Sequence, residues 1–258
     1  MIDLKLRGYV TPEDFEGSDR ERIQKALDYA DEEDIRKVVL SGEYNADLAI
    51  TIPCGIHLVF DNASLRGDLK NQVINNFSFE TDRIYIEGKN SEITGNLTFC
   101  HARHVVLENI TINGDVSFEF SRDLRIEYVK ITKQLAINRG CQNTIIQHIE
   151  CDNVLMSGES KGCDIIGREP IIKNILLRDG VIKNGALLKA GVDCGFLNIQ
   201  LEDIHSETTC VTVGTKDEKL PKEQYQNFTF INLNGPEKVI FNNDYKYAYL
   251  GFESVGKI

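Results

Sequence analysis

Residues 97–157 read LTFCHARHVVLENITINGDVSFEFSRDLRIEYVKITKQLAINRGCQNTIIQHIECDNVLMS, and short apolar triplets recur in them at a nearly fixed spacing. Val105-Val106-Leu107 is followed by Leu124-Arg125-Ile126 and then by Thr144-Ile145-Ile146. A second series interleaves with the first: Val116-Ser117-Phe118, Leu135-Ala136-Ile137, Val154-Leu155-Met156. The offset within each series is about twenty residues, and a fixed period of that size marks a solenoid. Inside each unit apolar and polar residues alternate, as in Asp115-Val116-Ser117-Phe118-Glu119-Phe120, so one face is buried and the other is wet. Short β-branched runs separated by Asn, Gly or Asp leave no room for a helix. The pattern predicts an all-β fold, a single right-handed parallel β-helix whose coils stack about 4.8 Å apart, the hand following the crossover rule.

The repeat extends toward Val213, so the 258 residues are expected to form one domain. No apolar run reaches eighteen residues, which predicts no membrane span. The first residues, MIDLKLR, lack the apolar stretch of a signal peptide, so a cytoplasmic protein is expected; a leader absent from this chain would make it secreted. Seven cysteines show no CxxC pair or metal-finger spacing, and at least six are expected to be reduced, packing as small apolar groups. The net charge of −11 argues against nucleic acid as a partner, because phosphate binding needs a basic face. No cofactor or metal is called for; the Cys100-His101-Ala102-Arg103-His104 cluster reads as corner chemistry, with no further ligands converging on it.

Residues 13–34 carry ten acids and three bases. Ser18-Asp19-Arg20-Glu21 is a capping box, and Ile23, Ala26, Leu27 and Ala30 fall on one helical face. This predicts a helix from about Asp19 to Glu32 that covers the open strand edges of the first coil. The segment SGEYNADLAITIPCGIHLVFDNASLRG follows, at residues 41–67. Asn-x-Ser/Thr sequences at Asn62, Asn76, Asn96, Asn109 and Asn227 read as coil corners, where Asn tolerates a left-handed backbone and can bond from coil to coil. Residues 215–226 read as an exposed loop. Residues 215–258 hold the last coils and a C-terminal cap, whose Tyr245, Tyr247, Tyr249 and Phe252 alternate.

The helix, the strand after it and the segment ending at Gly67 resemble the opening of the pectate-lyase-like β-helix superfamily, closest to the polygalacturonase family of glycoside hydrolases, over residues 17–67. Further along, Gly185-Ala186-Leu187-Leu188-Lys189 resembles the family's G-I-R-I-K-T segment, which implies a substrate-binding role for Lys189 but puts Leu187 in place of the arginine. Asp152 matches one of the family's paired aspartates, and its partner is absent. Gly162-Cys163-Asp164-Ile165-Ile166-Gly167 is similar to H-G-I-S-I-G with Gly162 in place of histidine, and N-T-D has no counterpart near Lys133-Gln134-Leu135. The resemblance therefore implies a polysaccharide partner while most of the catalytic set is missing.

Alternation adds a candidate site of its own. With Val116/Phe118, Leu135/Ile137, Val154/Met156, Ala186/Leu188 and Val211/Val213 pointing inward, Glu119, Asn138, Ser157 and Lys189, together with Arg168, form an outward column. Asp152 and Asp164 precede strands of neighbouring coils, so their carboxyls would fall roughly 5–9 Å apart, a separation that suits glycosidases. The expected cleft has Asp152 and Asp164 as catalytic carboxylates and Arg168, Lys189, Glu119 and Ser157 binding substrate. It would serve a glycoside hydrolase of acidic sugars or, less in keeping with the residues, a lyase. The alternative is a non-catalytic carbohydrate-binding or structural β-helix, with self-association left open.

Overall fold

The computed structural model describes residues 4–72, 81–159, 169–191, 193–215, 225–242 and 250–251. Every strand pairing among them is parallel, and the pairings fall into three columns, so the chain is a three-sided parallel β-helix. The first sheet stacks residues 37–40, 57–61, 81–87, 102–108, 122–127, 142–147, 172–178, 196–202, 225–231 and 250–251. The second is narrow and runs from 42–45 through 63–66, 92–94, 111–112, 130–131, 149–151 and 180–182 to 204–205. The third stacks 50–52, 69–71, 97–100, 116–119, 134–138, 153–157, 186–189, 209–213 and 237–241.

Alternation decides what fills the interior. All ten residues expected to point inward from the third sheet are buried, from Val116 and Phe118 to Val211 and Val213. Like packs on like: the Phe99 and Phe118 rings of adjacent coils stack at 5.0 Å and 10°. Between the first and second sheets the chain turns on one residue with φ between 48° and 55°, successively Asn62, Asn90, Asn109, Tyr128, His148, Asp179, Asp203 and Asn232. The left-handed region disfavours residues with a Cβ but is least costly for Asn and Asp. Asn62, Asn109 and Asn227 thus have the left-handed backbone that the sequence predicts; Asn96 does not, and its Oδ1 instead accepts from Asp115 N of the next coil at 3.0 Å, while Asn76 lies outside the described residues. The corner between the second and third sheets is a glycine stack, where a Cβ on Gly114 would meet the Gly95 carbonyl oxygen at 2.0 Å.

The helix forms at Asp19–Glu32, with Ser18 and Glu21 closing the capping box and Ile23, Ala26, Leu27 and Ala30 buried. Its function is to close the first coil. A strand edge carries unpaired N–H and C=O groups, and here each of the three sheets has its edge satisfied by the N-terminal segment. Val10 exchanges hydrogen bonds with 37–39, donating to Lys37 O at 3.0 Å and accepting from Val39 N at 2.9 Å. Asp19 Oδ2 accepts from Asn45 N at 2.7 Å. The Gln24 amide stands in for a strand, donating to Thr51 O and accepting from Thr51 N, both at 2.9 Å.

The cysteines correct one expectation. Cys141, Cys151, Cys194 and Cys210 are buried and free, as small apolar groups would be, and burial pushes the Cys141 and Cys151 thiols up to about 12. Cys100, however, is disulfide-bonded. It sits at the end of a strand, only half buried, where a thiol is not enclosed by the core. Cys163 lies outside the described residues, as do the alternating aromatics of the tail.

Two measurements check this account. Replacing Gln24 by Leu keeps the side-chain size but leaves both Thr51 backbone groups without their partner, and is expected to cost about 1–2 kcal/mol in thermal unfolding. An unchanged melting curve would show that the helix does not close that edge. A thiol titration in denaturant without reductant should find five of the seven cysteines reactive, since one disulfide occupies two. Six or seven would remove the disulfide.

Candidate functional site

Of the six residues expected in the cleft, Glu119, Ser157, Asp152 and Lys189 are described, and these four do not share one open face. Glu119 and Ser157 are 3% and 1% exposed, and Asn138 between them is 2% exposed. Two-residue alternation holds across Val116–Phe118 but stops where the strand ends: Phe120 and Gly140 turn with φ of 46° and 73°, which folds the preceding positions into the corner. Glu119 and Ser157 therefore are not substrate-facing. Lys189, in register with Ser157, is half exposed, and its ammonium pairs with Glu159. Asp152 precedes the same strand at its other margin. Five residues of strand separate Asp152 from Ser157, roughly 16 Å at 3.3 Å per residue, so Asp152 and Lys189 do not face one sugar ring. Asp164 and Arg168 lie outside the described residues. Between the two margins the outward column of the third sheet runs Thr98, Ser117, Ala136, Leu155, Leu187 and Thr212 without an acid or a base; its one charged member among the described residues is Lys70, one coil before Thr98.

Asp152 instead lines a depression of about 280 Å³ at the corner between the second and third sheets. Glu150, Glu207, His205, Lys130 and Lys183 share it, and Lys130 Nζ pairs with Glu150 Oε1 at 2.6 Å.

The polar chemistry of the molecule is concentrated on the outward face of the first sheet. Glu87, Glu108 and Glu127 are in direct register on successive coils, followed by Gln147 and Arg178. A neighbouring column holds His57, Tyr85, Val106, Arg125, Ile145 and Leu176. The carboxylates are about 4.8 Å apart by coil spacing, close enough to repel, and each has its own partner. His57 Nε2 lies 2.9 Å from Glu87 Oε2, and its ring stacks on Tyr85 at 4.4 Å. The Tyr85 hydroxyl donates to Glu108 Oε2 at 2.6 Å; burial and that hydrogen bond raise its pKa. Glu127 is buried against the Arg125 guanidinium, which holds its carboxyl below the usual range. Ionised Glu127 also accepts from the Gln147 amide, whose Oε1 accepts from Arg178 Nε and Nη2 at 2.9 and 2.6 Å. A carboxylate held this way accepts hydrogen bonds but is not a proton donor near neutral pH.

Beside these columns runs a ladder of amides. Asn143, Asn174, Asn198 and Asn227 all have φ of 52–56° and stack at the start of the first-sheet strands. Asn174 donates to Asn143 Oδ1 at 2.9 Å, Asn198 to Asn174 at 3.0 Å and Asn227 to Asn198 at 3.0 Å; Asn143 donates to Asp123 at 3.0 Å. Each amide uses one N–H in the ladder and has a second. The ladder is one wall of an open groove of about 470 Å³ that crosses four coils. Ile145, Leu176, Gln200 and Thr229 form its floor, and no residue lining it is charged.

The sequence reading found Asn227 and the principle of amide stacking but not Asn143, Asn174 or Asn198 as its partners. A signal for both features is present. Five successive first-sheet strands end in an aliphatic residue followed by a polar one, Ile86-Glu87, Leu107-Glu108, Ile126-Glu127, Ile146-Gln147 and Leu177-Arg178, and each ladder Asn precedes a buried position. His101 and His104 both have φ of 52°; His101 stacks on Phe120, and His104 Nδ1 lies 2.6 Å from Asp82 Oδ1.

No protein-family model matches the chain, and no curated protein matches it in sequence. Among solved structures it is similar to the endo-xylogalacturonan hydrolase of Aspergillus tubingensis, at 14% identity and a TM-score of 0.48, over 91% of this chain and 90% of that one. It is similar to the polygalacturonase of Erwinia carotovora at 13% identity and a TM-score of 0.49, over 94% and 96% of the two chains. The tailspike protein of E. coli bacteriophage HK620, in complex with a pentasaccharide, matches at 9% identity and a TM-score of 0.49, over 97% of this chain and 66% of that one. At this level of identity the parallel β-helix rests on the strand register of the chain itself, and its chemistry rests on its own side chains.

Proposed function

We propose that this protein binds an extended, uncharged polysaccharide along the outward face of its first sheet. The observation that carries this reading is the amide-walled groove crossing four coils, with N–H donors repeating at the coil spacing over a floor that is aliphatic at Ile145 and Leu176 and polar at Gln200 and Thr229. Sugars offer the matching surface, hydroxyls at the rim and C–H faces below. Charge sets the preference within polysaccharides. The groove has no cation to bind a uronate, the column beside it on the same coils is Gln147, Arg178, Glu202 and Ile231, with the Arg178 guanidinium held by Gln147, and the chain carries a net −11. Acidic sugars, the substrates that the polygalacturonase resemblance implies, are disfavoured on this face. The disulfide at Cys100 supports a secreted protein over a cytoplasmic one, because disulfides persist in oxidising compartments.

A second reading keeps the hydrolase. It is favoured by the depression around Asp152, which gathers the carboxylates of Glu150, Asp152 and Glu207 beside His205. Glycoside hydrolysis needs two carboxylates across the bond, and this is where described acids converge around the one aspartate that matches the family motif.

The two readings separate by experiment. Neutral hexasaccharides such as cellohexaose should raise the melting temperature and hexagalacturonate should not. Asn198→Asp, which keeps the left-handed corner but replaces a donor with a charge, should weaken the neutral ligand about tenfold. Stabilisation by hexagalacturonate alone would sink the binding proposal. If product analysis detects hydrolysis, Asp152→Asn should lower its rate about 10²-fold or more; full retention would remove Asp152 from the chemistry.

A further inference from the structure

Two of the eight corners between the first and second sheets carry rings where the other six carry Asn or Asp: Tyr128 and, on the next coil, His148. In the column Asn62, Asn90, Asn109, Tyr128, every backbone has φ between 48° and 55°, and the fourth residue is an aromatic. A bulky side chain in the left-handed region is a genuine outlier that strains the backbone, where Asn would cost little. Burial does not compensate, because Tyr128 is 56% exposed. Its ring stacks on His148 of the next coil, with centroids 4.6 Å apart and planes at 14°. On the side of the preceding coils it borders an open depression of about 520 Å³ that Asn90, Asn109, Thr111 and Lys130 also line. The ring thus stands between a supporting imidazole and an open polar space.

We infer that Tyr128 is a sugar-stacking platform: the C–H face of a pyranose packs on the phenol ring, and the hydroxyls at its rim reach the Asn90 and Asn109 amides and the Lys130 ammonium. Each of these groups keeps capacity for a ligand. Asn109 donates one N–H to Glu108 and Asn90 one to Asn62, each at 3.3 Å, and an ammonium has donors beyond the one it gives Glu150. A strained, exposed aromatic that contributes little to the fold is the signature of a residue retained for contact. The inference rests on the reading that the protein binds a glycan, and adds a subsite at the opposite margin of the first sheet from the amide groove.

The test uses the opposed signs of stability and affinity. Tyr128→Asn restores the residue that the preceding corners carry, so its melting temperature should equal or exceed that of the wild type, while affinity for cellohexaose should fall tenfold or more. Tyr128→Phe keeps the ring and should retain affinity within about threefold. If Tyr128→Asn binds as the wild type does, whatever its stability, the platform is excluded while the groove reading stands. If Tyr128→Phe, which keeps the ring, also loses affinity tenfold or more, ring stacking is not what binds the sugar and the inference falls. If the wild type binds no neutral or acidic hexasaccharide, the glycan reading itself fails and this one with it.

Discussion

A coil of three strands can hydrogen-bond to the coil above only if it returns to its starting register, and that requirement governs everything else in this molecule. Parallel strands are joined here without helices, and between the first and second sheets the change of direction is made by a single residue. The left-handed corners meet the requirement: eight of them, with φ of 48–55°, separate the first sheet from the second, and a second column with φ of 52–57° sits within the first sheet from Arg83 to Asn227. Residue choice at these points is narrow because a Cβ is tolerated there only at a cost, and Asn and Asp lower that cost through their own local hydrogen bonds. The glycine stack at the second corner answers the same need where backbones approach too closely for any side chain.

Register has a second consequence, that every position is stacked on its equivalents. Apolar residues gain from this, as the Phe99–Phe118 stack does. Charges lose, so the Glu87, Glu108, Glu127 column survives only because His57, Tyr85 and Arg125 each take one carboxylate. Amides fit best of all, since one side chain is both donor and acceptor and can bond above and below. The ladder from Asn143 to Asn227 therefore stabilises the corner and repeats an identical surface along the solenoid, the property a polymer ligand requires.

A solenoid has ends, and the bonding that runs through the middle of this one would be left open at the first coil. The N-terminal segment closes it by three different means, a strand bridge from Val10, a carboxylate from Asp19 and an amide from Gln24. The helix contributes burial through Ile23, Ala26, Leu27 and Ala30 and also positions these edge partners. Cap and coil are thus one hydrogen-bonded system.

The sequence by itself determined the features that depend on local periods. The twenty-residue repeat gives the stacked coils, two-residue alternation gives the inward positions of the third sheet, and the capping box with its apolar stripe gives the helix at Asp19–Glu32. Each follows from spacing along a few consecutive residues. Tertiary structure decided the rest. Alternation gave no warning that Glu119 and Ser157 would be folded into a corner, because it ends where the strand ends. Asp152 and Lys189 were expected to share one cleft, yet they mark opposite margins of a sheet. The amide ladder was hidden because its steps span 31, 24 and 29 residues: coils vary in length, so the partner of a side chain cannot be counted along the chain and is fixed only when the strands register.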